Sequence, residues 1–356
     1  MSQFIQLHCL TSYPLSNPNR DDTGRPKSAI YGGAPRLRLS SQALKRAIRT
    51  SDRFQQQLSG KLGARTQRIG EVVLDALKNR PLIDKDRAAI AEAITDVFGK
   101  VDAEAIKKNA AHVRTRQLAF ISPEERAAAL DWAERAANGE KLPDKKELKK
   151  LILRTADGAA DIAMFGRMLA DADGQRFNRE AAVQLSHAFT THRAIVEDDY
   201  YTAVDDLKKS SEDAGAGFIG EAGFGSGVFY VYSCIDRSLL EKNLDGDTAL
   251  VDEAIEGYIH ALTSATPSGK RASFAHHTRA DYLLAERGDQ QPRSLAPDFM
   301  KPISGDDVVQ LSISALESHS EAVTKAYGAC SEATACMNVR ALTGTIDDVV
   351  ALARGA

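Results

Sequence analysis

Between residues 19 and 50 stand eight cations, Arg20, Arg25, Lys27, Arg36, Arg38, Lys45, Arg46 and Arg49, against two carboxylates, Asp21 and Asp22. The whole chain carries a formal net charge of -3. A local excess of this kind attracts phosphate whatever the overall balance, so the distribution matters more than the sum. In SSQALKRAIRTS, at about 100° per residue, Leu44, Ala47 and Ile48 fall on one helix face and Gln42, Lys45, Arg46 and Arg49 on the other. Ser40 and Ser41 offer amides and hydroxyls at the start of that helix. A phosphate can sit there while Lys45 and Arg49, one turn apart, flank a nucleic-acid backbone.

Other groups invite different chemistry. Asp21 and Asp22 lie in a polar loop, and two carboxylates can hold Mg²⁺ beside a scissile phosphate, the arrangement of a metal-dependent ribonuclease. Adjacent residues converge poorly on one ion, however, and Arg20 stands ready to pair with them. The stretch GAGFIG, Gly215 to Gly220, has the G-x-G-x-x-G spacing of dinucleotide-binding enzymes. That fingerprint needs an apolar strand before it and a helix starting on it. Here VDDLKKSSEDA precedes it, and EAGFGSG followed by the strand-like GVFYVYSCID comes after, so Asp236 has no ribose to meet. The His187, His192, His276 and His277 positions show no ligand spacing, and the four cysteines, Cys9, Cys234, Cys330 and Cys336, are read as reduced and mostly buried. No cofactor is called for.

FIQLHCLT at 4 to 11 and RLRLS at 36 to 40 alternate like strands, Arg36 and Arg38 on one face and Leu37 and Leu39 on the other, with a long polar loop between. Residues 59 to 180 are rich in Ala and in charges of both signs. Helix starts stand out there, Ser122-Pro123-Glu124-Glu125 as a capping box and Asp144 before Lys145, which predicts an all-helical insertion. Strand patterns return in AAVQLSHAFTTHRAIV, GVFYVYSCI and ASFAHHTRADYLLAE, with helices near 237 to 265 and 305 to 328. Strands at both ends around a helical middle make an α+β fold. At 356 residues with 43% hydrophobic content, a sizeable core is available. No run approaches the roughly 18 apolar residues of a membrane span, and MSQFIQLHCL lacks the pattern of a signal peptide, so a cytoplasmic protein is expected.

At NRDDTGRPKSAIYGGAPRLRLSSQALKRAIR the chain resembles the CasC-type backbone subunit of the type I-E CRISPR Cascade complex. DIAMFGRM (161 to 168), SHAFTTHRA (186 to 194), YYTAVDDL (200 to 207) and FGSGVFYVY (224 to 232) agree in order, so the likeness spans nearly the full length. The resemblance implies a hand. An RNA-recognition-motif-like (ferredoxin-like) palm would comprise residues 1–58, 181–196 and 228–356, helical fingers 59–180, and an extended hairpin thumb 197–227. It further implies a non-catalytic subunit that binds CRISPR RNA, repeats head to tail in several copies, joins other Cascade subunits and leaves the guide free to pair with target DNA. By position, Arg20, Lys27, Ser40, Gln42, Lys45, Arg46 and Arg49 would touch RNA phosphates and sugars, and Met168 would pack on bases. Tyr200, Tyr201 and Ile219 fall on the thumb, Tyr200-Tyr201 where the family can carry Trp-Phe. Phe218 or Ile219 would be the apolar wedge at a flipped base. Lys107, Lys108, Arg114 and Arg116 on the fingers are candidates for the target strand. A free-standing RNA-binding module is the other non-enzymatic reading, and it would bind as a monomer.

Overall fold

The computed structural model describes residues 3–169, 172–203 and 218–355, with the side chains of 172, 173, 203, 218 and 219 left aside. Among the described residues eleven strands run β1 (Phe4–Ser16), β2 (Ser28–Tyr31), β3 (Ala34–Leu39), β4 (Ala64–Thr66), β5 (Ala119–Ile121), β6 (Val183–Leu185), β7 (Ala188–Thr190), β8 (Glu197–Ala203), β9 (Phe218–Asp236), β10 (Ala280–Gly288) and β11 (Ala333–Asn338). Thirteen α-helices accompany them among the described residues. They are α1 (Ser41–Arg49), α2 (Asp52–Gln57), α3 (Ile69–Ala76), α4 (Asp84–Phe98), α5 (Ala103–Lys108), α6 (Pro123–Ala137), α7 (Lys145–Ile152), α8 (Ala160–Phe165), α9 (Arg237–Asn243), α10 (Thr248–Ser264), α11 (Arg271–Phe274), α12 (Val308–Tyr327) and α13 (Ile346–Arg354). The α+β class is as expected.

One nine-stranded antiparallel sheet organises the molecule, in the order β11-β10-β1-β9-β7-β3-β2, with β6 and β8 also pairing to β9. β1 lies between β9 and β10, so Phe4 faces Asp236 on one side and Gly288 on the other. Its odd residues Ile5, Leu7 and Cys9 pack in a cluster with Val251, Ile255 and Tyr258 of α10. Leu10 and Tyr230 lie in a second cluster with Phe299 and with Ile313 and Leu316 of α12. Helices thus cover both faces, which is why β1 is buried almost continuously instead of alternating.

A third cluster, from Ile69 to Phe177, belongs to the helices between the strands. The expected caps are present: Ser122 and Glu125 form the capping box of α6 with Pro123 at its first turn, and the Asp144 carboxylate accepts from Glu147 N at the start of α7. The insertion is not all helix, because β4 and β5 pair as a two-stranded ribbon within it. Two buried ion pairs serve its base, Arg167 to Glu125 at 2.5 Å and Arg179 to Asp157 at 2.6 Å.

The loop between the first two strands is shorter than the sequence predicts. β1 continues to Ser16 on β9, and Ser28–Tyr31 forms a hairpin with β3. AAVQLSHAFTTHRAIV yields two three-residue strands instead of one. ASFAHHTRADYLLAE divides into α11 and β10. No helix among the described residues is long and apolar enough to cross a membrane.

Candidate nucleic-acid interface

The cationic helix α1 forms as its pattern requires. Leu44 and Ile48 are buried, and the Ser40 hydroxyl accepts from Ala43 N at 3.2 Å as the N-cap. Its start is fixed from two directions. Asn19 Oδ1 accepts from Ser40 N (2.8 Å), and Asn19 O accepts from Lys27 N (2.9 Å), so the Arg20 loop, Lys27 and the helix start are held together. On the other side His187 Nδ1 accepts from both Ser41 N and the Arg38 guanidinium, each at 3.1 Å. A ring nitrogen that accepts carries no proton, so this imidazole is neutral. Burial lowers its pKa, and the Arg38 charge lowers it further.

The eight cations divide. Arg36 is fully buried and donates to the carbonyls of Thr190 (2.9 Å) and Phe299 (2.8 Å). It shares no solvent face with Arg38, which corrects the expected pairing: β3 has covering structure on both sides. Arg25 pairs with Asp198 of β8 at 2.9 Å. Arg49, expected on the solvent face, turns onto Asp161 with Nε at 3.0 Å and a terminal nitrogen at 2.8 Å, and it lies 4.4 Å over the Phe120 ring. Lys45 is half-buried over the Phe165 ring at 5.6 Å, and burial lowers its pKa. Gln42 and Arg46 are exposed. Arg20, Lys27, Lys45 and Arg46 make no side-chain ion pair among the described residues.

DIAMFGRM is built around this helix. Asp161 Oδ2 takes Arg49 while Oδ1 accepts from Gly63 N (2.7 Å), and burial pushes this carboxyl up while the guanidinium pulls it back. Phe165 lies beneath Lys45. Gly166 turns the chain at φ 78°, where a Cβ would stand 3.0 Å from Arg179 O. Arg167 then plunges to Glu125, leaving the adjacent Met168 80% exposed. One turn of backbone therefore buries a cation and presents a thioether.

β8 and the first part of β9 form an antiparallel hairpin, with Tyr200 opposite Glu221 and Tyr201 opposite Gly220. Both tyrosines are well exposed, at 67% and 43%. Gly215, Ala216 and Gly217 lie outside the described residues, as do the side chains of Phe218 and Ile219. From Phe218 the backbone continues as strand to Asp236, so no helix follows the glycines, and the Asp236 carboxylate caps α9 by accepting from Leu239 N. Gly225 and Gly227 are extended, and each serves close approach. A Cβ at Gly225 would lie 2.6 Å from Leu37 Cδ1, and one at Gly227 would lie 2.7 Å from both His192 Nε2 and Thr190 Cγ2.

Asp21 organises its own loop. Its Oδ1 accepts from Thr23 N (2.9 Å), Thr23 Oγ1 (2.8 Å) and Arg25 N (3.0 Å), with the Thr23 hydroxyl chief in holding the carboxyl below its ordinary value. Asp22 is exposed beside it. Among the described residues no three His, Cys, Asp or Glu side chains converge as metal ligands. On the insertion, Arg114 pairs with Glu71, while Lys107 and Lys108 are exposed at the end of α5. Sequence reasoning missed His187 as the seat of α1 and Asn19 as its second tether. The SHAFTTHRA block held the only signal for the former, 146 residues from its partner.

The model of the CT1975-like protein family matches residues 5–352. No curated protein matches the chain. Among solved structures, a chain of a CRISPR RNA-guided surveillance complex, pre-nicking, superposes with a TM-score of 0.83 at 27% identity, covering 98% of this chain and all of its own. A chain of another CRISPR RNA-guided surveillance complex gives 0.60 at 24% identity, covering 98% of this chain and 99% of its own, a likeness of fold. With the match running from β1 into α13, this chain belongs to the CT1975-like protein family.

Proposed function

We propose that this chain is a non-catalytic backbone subunit of a CRISPR RNA-guided surveillance complex of type I-E, repeating head to tail along the guide RNA. The observation that carries the reading is the end-to-end likeness, at 27% identity, to a subunit chain of such a complex. The geometry agrees with it. Arg20, Lys27 and Ser40 are tied into one surface by Asn19, and Gln42, Lys45 and Arg46 continue it along α1. Contacts of these types hold phosphate and sugar without reading sequence, which leaves base edges free to pair with a target strand.

In this reading the sheet and its covering helices are an RNA-recognition-motif-like palm (1–58, 181–196, 228–356), the insertion (59–180) is the fingers, and the hairpin (197–227) is the thumb. Met168, exposed beside the Arg167 anchor, packs on bases, and Tyr200 and Tyr201 with Phe218 or Ile219 work at the step where a base is flipped out. Arg49 contributes by anchoring α1 to Asp161. The ribonuclease alternative through Asp21 and Asp22 is not favoured, because the Asp21 carboxylate is engaged by its own loop.

The test is binding of the purified protein to single-stranded RNAs of graded length across a salt series, read by affinity and by complex mass. Protomers should add stepwise with length, and log affinity should fall against log salt by about 0.7 per neutralised phosphate, a slope that shallows in Lys45→Ala and Arg46→Ala. One protomer at every length would replace the filament with a free-standing binding module; RNA lost only in the presence of Mg²⁺ would restore the nuclease.

A further inference from the structure

Beside α1 the chain holds a cleft that the sequence did not announce. It has a volume of about 440 Å³ and opens between the solvent side of α1, the start of α2 and the loop 264–277. Arg46, Arg53, Arg271 and His277 line it, with Asp52 its one carboxylate among the described residues. Arg53 lies 3.6 Å from Glu256, whereas the side chains of Arg46 and His277 have no hydrogen-bond or ion-pair partner among the described residues.

The loop that closes the cleft is held in a costly conformation. Lys270 (φ 51°) and Ala275 (φ 48°) both adopt the left-handed region without being glycine. Such residues persist only where the surroundings over-determine them, and they gather at ligand sites. The surroundings here are definite. Gly269 lies so close to the chain at Pro18 that a Cβ would stand 2.4 Å from the Pro18 carbonyl oxygen. His276 is fully buried with Nε2 2.9 Å from Pro267 O, and Arg271 donates to Thr266 O at 2.5 Å. The Nε of Arg271 is shut from solvent without an acceptor among the described residues.

Two adjacencies connect this loop to the surface assigned to RNA. Arg46 belongs both to α1 and to the cleft, and a neighbouring hollow that shares Pro18 and Gly269 with it is lined by Arg20, Asp21 and Asp22. We propose that the cleft is a further phosphate site for the bound strand, in which Arg46, Arg271 and His277 grip a phosphodiester that α1 alone does not reach. This rests on the RNA-binding reading above. An open groove lined by three arginines and joined to α1 through Arg46 suits a phosphate that is part of a chain, and the guanidinium of Arg271, fixed by Thr266, is pre-oriented for it.

Single-stranded RNA binding by the full chain tests this, with His277→Gln and Arg271→Gln measured beside Lys45→Ala, and with inorganic phosphate as competitor at constant ionic strength. Each cleft variant should bind several-fold more weakly with unchanged protomer stoichiometry, and Arg271→Gln should also lose about 0.7 from the log-log salt slope for the phosphate contact removed. Inorganic phosphate should compete feebly. Cleft variants that match the wild type while Lys45→Ala weakens would overturn the site and leave the RNA reading standing. Loss of protomer addition at unchanged affinity for short RNA would assign the cleft to a protein carboxylate and also overturn it, as would strong competition by free phosphate. No RNA binding by the wild type at any length would remove the underlying reading itself. If Arg271→Gln melts early, His277→Gln carries the test, since its side chain holds nothing in place.

Discussion

Removing Arg49 leaves the Asp161 carboxylate, 1% exposed, with a backbone amide as its strongest remaining partner. Arg49→Ala should therefore cost about 3 kcal/mol of stability, because stranding one member of a buried pair costs more than the pair contributes. Thermal melts of Arg49→Ala, Asp161→Asn and the double variant check this, and a loss no larger than that of Arg46→Ala would refute it. Histidines set the pH response. Burial holds His8, His187, His192 and His260 below 6.5, so the unfolded chain takes up more protons than the native one as pH falls. Stability from these rings is complete above 6.5 and drains away below it, and melting temperature should be level from pH 7 to 8 and drop towards pH 5.5. A melt unchanged at pH 5.5 would contradict the neutral His187 seat. Charge spacing in the sequence marked where the cations stand; it could not show that a carboxylate 112 residues away claims Arg49, or that β3 buries Arg36.

Elements were legible where a local rule governs them. Capping side chains at Ser40, Ser122, Asp144 and Asp236 act within three residues, so a reader of the chain can find most of these helix starts. β6 and β7 were not separable, since what divides them is the turn at Ser186 and His187, fixed by partners on β9 and α1. The glycines of β9 give a further case. Their spacing suggests phosphate binding or bending, yet at Gly225 and Gly227 they admit Leu37, Thr190 and His192 against the strand. Gly227→Val should cost about 1–3 kcal/mol through overpacking. The same change at Gly246, where nothing stands within 4 Å of the Cβ position but φ is 81°, would cost through backbone strain instead. Chemical denaturation of the Gly227 variant decides it, and a neutral result would mean the strand can shift.

At the scale of the molecule, the helical insertion has a core of its own, and the sheet has two. The chain's single tryptophan, Trp132, packs against the helical cluster and beneath Arg135 at 3.8 Å. Its fluorescence reports that cluster alone, whereas far-UV circular dichroism sums the whole chain. The two urea transitions should fail to coincide, and superimposable curves would show that the buried Arg167–Glu125 and Arg179–Asp157 pairs weld the cores into one cooperative unit. The sequence announced the insertion by composition, but the order of the sheet lay beyond it, because pairing across such separations leaves no local trace. That order bears on how the chain is made. β1 leaves the ribosome some two hundred residues before its partners β9 and β10, so through much of synthesis an apolar strand waits with its edges bare. The helical cluster, whose contacts are all nearer in sequence, can be complete long before then. Slow elongation, or truncation before residue 280, should therefore leave a soluble helical knob tethered to a sticky ribbon, and yield in a cell will depend on whatever shields those first sixteen residues until their partners arrive.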